Sequence, residues 1–246
     1  MFGKKTLDNV LARAIEIGND YKIRLRNGEN LRVCISKGNK KIGRVMNVSL
    51  MPILTCANCK ECKKLCYDVK ACFQYKGVIP ARMRNTILMR ENIIEYFRQI
   101  DVAMTRRKKN KFFRWHVAGD IPTMEYFENM IDLAAKHPDF VIWTYTKNYS
   151  LVNEYVANHG GFDCLGFRSN GAVFLKVAPN LSIMFSEWRG LPLDNPYGFP
   201  VFSVVFKDDK VKPDPKKNHY CPGNCDICKA KKRGCPYGEN TFANEH

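Results

Sequence analysis

The stretch 56–66 reads Cys56-x-x-Cys59-x-x-Cys62-x-x-x-Cys66, and a second run, Cys221-x-x-x-Cys225-x-x-Cys228 followed by Cys235, lies near the C-terminus. Eight of the 11 cysteines thus occupy two short segments. What they impose on the fold depends on the redox setting. The N-terminus MFGKKTLDNV has neither the apolar stretch nor the small-residue cleavage site of a signal peptide, and no apolar run approaches the roughly 20 residues that span a bilayer. The expected setting is therefore a reducing cytoplasm, where clustered thiols are more often metal ligands or redox groups than disulfides. With 246 residues and 45% hydrophobic content, the chain can bury a core without staples. Cys34 and Cys164 read as small buried hydrophobes, while Cys72 stays a candidate ligand because it lies near the first run.

The first run has the spacing of a bacterial ferredoxin loop, lacking only the proline after the last cysteine. Three such thiolates can hold three irons of a cubane, whereas tetrahedral zinc is usually assembled from two ligand pairs on separated segments. A [4Fe-4S] cluster is therefore expected on Cys56, Cys59, Cys62 and Cys66 in preference to zinc. In the second run Pro222, Gly223, Gly234 and Pro236 supply tight turns. Cys221, Cys225, Cys228 and Cys235 form a compact metal knuckle that suits a second iron–sulfur cluster or zinc equally.

Around these runs the pattern is that of an α/β chain. Leu7, Val10, Leu11, Ala14 and Ile15 predict a helix over 6–17 ended by Gly18, and Asn27-Gly28 between 21–25 and 31–35 predicts a hairpin. A strand over 43–52 runs into the first cysteine loop, and Met89, Ile93, Phe97, Ile100 and Met104 predict one long helix over 81–106. A strand over 112–117 ends in Ala118-Gly119-Asp120; Pro122 and Thr123 open a helix that Pro138 closes, and a strand over 140–146 follows. A helix over 151–159 and strands at 163–167, 172–177, 181–186 and 200–206 complete the pattern. Alternating strand and helix imply parallel strands, with ligands at their carboxyl ends. The cysteine loop, Gly119-Asp120 and the Thr144-to-Lys147 turn are then expected to share one rim. The expected organisation is an N-terminal helix and hairpin extension (1–42), an α/β body (43–210) and a Cys-rich metal-binding tail (211–246).

Lys and Arg outnumber Asp and Glu by 40 to 24, a formal charge of +16 that favours a polyanionic partner or an anionic small substrate. The denser basic runs at 105–111 and 229–234 read equally as solvated ends or as nucleic-acid contacts. No aromatics are interleaved with them, as stacking on single strands requires. His116 reads as a core residue with a smaller claim on the site; Tyr145, Lys147, Glu187 and Arg189 sit at strand ends where an anionic group could bind. There is no Walker loop, Gly-rich dinucleotide turn or serine-nucleophile elbow.

The order strand, cysteine loop, helix, strand ending in a small-Gly-acid turn, helix, strand ending in a threonine-rich turn resembles the first half of a radical S-adenosylmethionine enzyme. That resemblance implies a partial TIM-like (β/α) barrel, a [4Fe-4S] cluster on the loop after the first strand, S-adenosylmethionine held at a turn that Gly119 and Asp120, with Pro122, match, and an electron donor; Thr144 and Lys147, at the next strand end, are further candidates for binding that cofactor. It also implies a small-molecule or macromolecular substrate and an auxiliary metal at the C-terminal cysteines. The family's usual loop spaces three cysteines three and two apart, a spacing found here at Cys221, Cys225 and Cys228, and Asp120 stands where a Glu is usual. The cysteine loop, the His116-x-x-Gly119-Asp120 strand end and the terminal cysteines also resemble the phage family known as gene product eighty-eight, over most of 50–240. That second resemblance implies no activity. The rival expectation is a non-enzymatic phage or mobile-element protein that binds nucleic acid and uses its metals structurally.

Overall fold

The computed structural model describes residues 4–60 and 62–244, with the backbone alone at Lys4, Lys5 and Lys64. Helix α1 spans Lys4–Arg26 and is followed by strand β1 at Met46–Val48. Next come α2 (Tyr67–Gln74), α3 (Val78–Glu91), α4 (Ile93–Thr105), β2 (Phe112–Trp115), α5 (Met124–Lys136), β3 (Val141–Thr146) and α6 (Tyr149–Asn158). A short hairpin of β4 (Leu165–Phe167) and β5 (Val173–Leu175) precedes β6 (Leu181–Ser186), β7 (Val201–Val205), β8 (His219–Tyr220), α7 (Cys225–Lys231) and β9 (Thr241–Asn244). Seven strands form one sheet in the order β1-β2-β3-β6-β7-β9-β8, and every pairing in it is parallel.

The architecture is thus a mixed α/β fold on an open parallel sheet bounded by β1 and β8; the pairings close no barrel among the described residues. One sheet face presents Phe113, Trp115, Ile142, Ile183 and Phe185 to a core built from α4, α5 and α6. The opposite face presents Trp143 and Met184, with Phe112, Tyr145 and Phe202 at its margin, to Cys235 and Cys225 of the C-terminal segment. Residues 211–244 carry the C-terminal cysteines against this face. They supply two strands to the sheet, and the turn at Cys235–Tyr237 lies against it, with the Ser182 hydroxyl donating to the Pro236 carbonyl at 3.1 Å.

Three local expectations are overturned. Residues 21–25 continue α1 instead of forming a hairpin, and Gly28, at φ +81°, ends the helix: Gly28 N donates to Leu25 O and Glu29 N to Arg24 O. Residues 31–35 run extended, but side-chain amides replace a partner strand, with Gln99 Oε1 taking Val33 N at 2.7 Å and Asn85 bonding both Cys34 N and O. In α1 the inner face is Val10, Ala14 and Tyr21, whereas Ile15 is exposed, and Gly18 lies inside the helix because a Cβ there would come within 2.6 Å of Met83 Cε. The single helix over 81–106 is two, because Asn92 leaves helical backbone (φ −156°, ψ 80°) and its side chain caps α4 through Glu95 N at 3.0 Å.

The α5 segment follows its caps closely. Thr123 Oγ1 accepts from Tyr126 N at 3.2 Å, Phe127, Met130, Ile131 and Ala134 are buried, and His137 ends the helix before Pro138. No helix among the described residues is long and apolar enough to cross a membrane.

Candidate metal centre

Because β1, β2 and β3 are parallel neighbours, their carboxyl ends deliver three segments to one edge. The chain leaving β1 stays paired to that leaving β2, with His116 N donating to Val48 O and Leu50 N to Ala118 O, both at 3.0 Å. It is then held on α3 by Met51 N on Thr86 Oγ1 (2.8 Å) and Arg90 on the Leu54 carbonyl (2.7 Å). Two non-glycine residues here have left-handed backbone, Ile53 at φ +71° and His116 at φ +54°. For a β-branched residue this is costly, and such outliers gather at functional sites where the surroundings hold them.

Cys56, Cys59, Cys62 and Cys66 are all half-buried on the loop that follows. Burial pushes the Cys56 thiol up, and the Asp120, Cys66 and Cys62 charges add to it, while the Ile53 amide, 3.4 Å from the sulfur, works the other way. Burial likewise raises Cys62, opposed first by the Lys147 ammonium, and raises Cys66, opposed by the amides of Val69 and Asp68 at the start of α2. Cys56, Cys62 and Cys66 therefore lie within electrostatic reach of one another, with Cys59 beside Cys62, Asp120 near Cys56 and Cys62, and Lys147 near Cys62 and Cys66. Asn58 fastens the loop to β3 by donating to the Lys147 carbonyl at 2.6 Å, and a buried ion pair of Asp68 with Arg82 (3.0 Å) fastens its far end to α3.

The sequence-predicted rim residues divide. Gly119, at φ +85°, lets the β2 turn pass so close to the β1 loop that a Cβ would sit 2.8 Å from both Leu50 Cβ and Thr55 Oγ1. Asp120 is buried and accepts from Ile121 N (2.8 Å) and Lys147 N (2.9 Å), tying the β2 end to the β3 end. Burial raises its carboxyl above the usual range against the pull of the Thr146 hydroxyl and those two amides. Lys147 reaches the rim, with Nζ 3.0 Å from Ser186 Oγ and 5.4 Å from the Trp188 ring centroid.

Thr144 does not reach the rim. It is wholly buried on the helix-covered face, 3.5 Å from His116 Nδ1. His116 is buried as well, bonded through Nε2 to Tyr126 Oη at 3.0 Å, and burial, then Arg114, drives its pKa down to about 3. Arg189 is taken up by Asp208 and Asp209 at the surface. Cys72 belongs to the core between α1 and α3, its thiol pushed up to about 12 by burial.

The second group sits elsewhere, against the sheet face opposite the α4–α6 layer. Cys228 and Cys235 are buried, Cys221 and Cys225 half-buried. Burial pushes Cys228 up to about 12, with Cys235, Cys225 and Cys221 adding to it, and pushes Cys235 up to about 11 against hydroxyls of Thr241 and Tyr145. His219, which the cysteine spacing gave no reason to select, places Nε2 3.8 Å from Cys228 Sγ. Arg114 was equally unmarked, being one polar residue in an aromatic strand. Its guanidinium lies 4.6 Å from the Tyr145 ring, its Nε is buried without a partner, and no carboxylate pairs with it among the described residues. The charges it meets are those of Tyr145, Tyr67, Cys225 and Cys235.

Among the described residues, no three His, Cys, Asp or Glu side chains stand close enough to hold a metal ion as they are, so either group must draw together to bind one. The donor chemistry fits such a group at both places. Protonated thiols leave Arg114 a half-buried cation without an anion, a state that metal-bound thiolates would relieve, and Lys147 stands ready to offset thiolate charge at the first loop.

These features define a parallel α/β protein with one four-thiol loop on the carboxyl edge of its sheet and another four-thiol group against a sheet face. The chain belongs to the phage-protein family Gene product 88, whose family model matches residues 24–235. Searches of curated proteins and of solved structures returned no match.

Proposed function

We propose that this chain is an iron–sulfur enzyme that uses S-adenosylmethionine at the carboxyl edge of its sheet, with a supporting metal at the C-terminal cysteines. The observation that carries the reading is that Cys56 and Cys62 lie near Asp120, and Cys62 and Cys66 near Lys147, groups delivered by three separate strand ends. On this reading the parallel strands are the wall of a partial barrel, and Cys56, Cys59, Cys62 and Cys66 are the thiols that would hold a [4Fe-4S] cluster. When bound and reduced by an external donor, a cluster there supplies one electron to the cofactor's sulfonium.

The chain's own groups do the positioning. Gly119 lets the β2 turn close against the β1 loop at Leu50 and Thr55, and Asp120 fixes that turn to β3 instead of meeting the ligand through a free carboxylate. Lys147 offers its ammonium to a carboxylate or to the thiolates, and Trp188 shields one side of it. The half-buried loop limits access of water. Thr144 has no part in this site.

Anaerobic reconstitution with iron and sulfide, followed by reduction in the presence of S-adenosylmethionine, tests the proposal. Uptake of iron and sulfide with formation of 5′-deoxyadenosine is expected. Protein that takes up a cluster yet neither binds S-adenosylmethionine nor forms 5′-deoxyadenosine refutes the catalytic reading.

A further inference from the structure

The two basic runs are far apart in sequence, and the fold brings both to the amino edge of the sheet, opposite the first cysteine loop. Arg44 precedes β1, and 106–111 lead into β2. Arg44, Arg106, Arg107, Lys108 and Lys109 line, with Asn110, an open depression of about 480 Å³. Arg106 also borders a neighbouring depression of about 450 Å³, whose lining includes Arg32 and the Arg98–Glu95 ion pair. On the other side, α7 is anchored by Cys225 N on the Lys41 carbonyl (3.1 Å), and Lys229 Nζ lies 5.1 Å from the ring centroid of Phe112, the first residue of β2. Exposed Lys231 ends that helix and exposed Lys232 follows it.

We infer that this edge binds the phosphate backbone of a nucleic-acid duplex. Among the described residues, none of Arg44, Arg106, Arg107, Lys108 and Lys109 has a carboxylate partner, although several neighbouring cations do, Lys111 with Asp139 and Arg98 with Glu95 among them. Like charges held this close repel one another and are stabilised only by an anion of matching extent. Arg107 lines the depression with its Nε buried and without a hydrogen-bond partner.

The chemistry of the lining narrows the partner. The Arg44–Asn110 depression has no apolar or aromatic residue in its wall. Membrane-surface helices need an apolar face, and protein interfaces are depleted in lysine at their cores. Single strands are held chiefly by stacking on aromatics. A duplex needs only cations placed along its phosphates, and it is read here without base specificity. The inference does not depend on the iron–sulfur reading, since the two sites lie on opposite edges.

The test is fluorescence anisotropy of the full chain with a 20-base-pair DNA duplex, the corresponding single strand and phosphatidylserine vesicles, from 50 to 300 mM salt. Five phosphate contacts predict a slope of log K against log salt of about −4.5, a loss on the order of 500-fold between 50 and 200 mM. Reversing Arg106→Glu, Lys108→Glu and Lys109→Glu together is expected to abolish binding, and the milder Arg106→Ala, Lys108→Ala, Lys109→Ala variant to reduce the slope by about 3. The control Lys210→Glu, Lys212→Glu, Lys216→Glu removes as much charge from exposed residues following β7 and is expected to retain tight duplex binding. The inference is overturned by no duplex binding at 50 mM salt, by equal loss in the two charge-reversed variants, by stronger binding to the single strand, or by binding to vesicles in place of the duplex.

Discussion

The two cysteine groups use the same side chain four times each, and the fold treats them oppositely. Cys56 to Cys66 ride a loop beyond β1, all half-buried, beside a lysine and between the ends of three strands. In the C-terminal group, Cys228 and Cys235 are buried, and Cys235 packs with Trp143 and Met184 under the middle of the sheet, with Cys225 at the edge of the same cluster. Access separates them. A group at an open strand-end edge can meet a ligand, whereas one that completes the cover of a sheet face holds that face in place.

Breaking that contrast directly gives the largest expected effect. If the C-terminal cysteines hold the proposed metal, Cys228→Ser with Cys235→Ser should cost loaded protein at least about 4 kcal/mol of unfolding free energy, through loss of that metal and of packed sulfur. Cys59→Ser with Cys62→Ser should stay within about 1 kcal/mol while abolishing iron-dependent activity. Urea unfolding of the two pairs measures this, and equal costs would erase the distinction.

Arg114 sharpens it through a change of sign. If thiolates at Cys225 and Cys235 are its counter-charge, Arg114→Met should destabilise loaded protein by about 3–5 kcal/mol, since it leaves buried negative charge uncompensated. In metal-free protein the same substitution should be neutral or stabilising, because the half-buried cation then has no anion to lose. Unfolding curves with and without chelator give both numbers.

His116 provides a pH test at the carboxyl edge. Its folded pKa of about 3 lies below the ordinary 6.5, so protonation favours the unfolded chain. The stability it supports is whole above about pH 6.5 and falls as pH drops toward about 3, a loss of about 2–3 kcal/mol by pH 4.5. His116→Gln should flatten that part of the profile. Gly119→Ala should cost about 1–2 kcal/mol, from the positive φ and the crowding by Leu50 and Thr55. S-adenosylmethionine affinity, read by equilibrium dialysis, should fall with it.

What could be read ahead of the structure follows from how local each signal is. The caps of α5 and the ends of β6 depend on adjacent residues and were legible, as was the shared position of the cysteine loop, Gly119-Asp120 and Lys147, which follows from parallel order alone. Asn27-Gly28 misled because the same dipeptide suits a hairpin turn and a helix C-cap, and only the packing of Tyr21 decides between them. Thr144 was misplaced for lack of a face: strand alternation puts it with Ile142 and Thr146, away from Tyr145, but which side carries helices is a tertiary fact. At His116 alternation itself fails, since β2 ends at Trp115 and the next residue turns left-handed. Arg114 and His219 acquire meaning only when β9 joins β7 and carries the C-terminal cysteines under the sheet.

The central claim is that the loop on the carboxyl edge, and not the group beneath the sheet, holds the reactive cluster. Electron paramagnetic resonance of anaerobically reconstituted, reduced protein tests it most directly, comparing Cys59→Ser/Cys62→Ser with Cys225→Ser/Cys228→Ser before and after addition of S-adenosylmethionine. The account predicts a reduced-cluster signal that S-adenosylmethionine shifts, kept by the C-terminal variant and lost in the loop variant. A shifted signal that survives in the loop variant, or a loop cluster indifferent to S-adenosylmethionine, would contradict it.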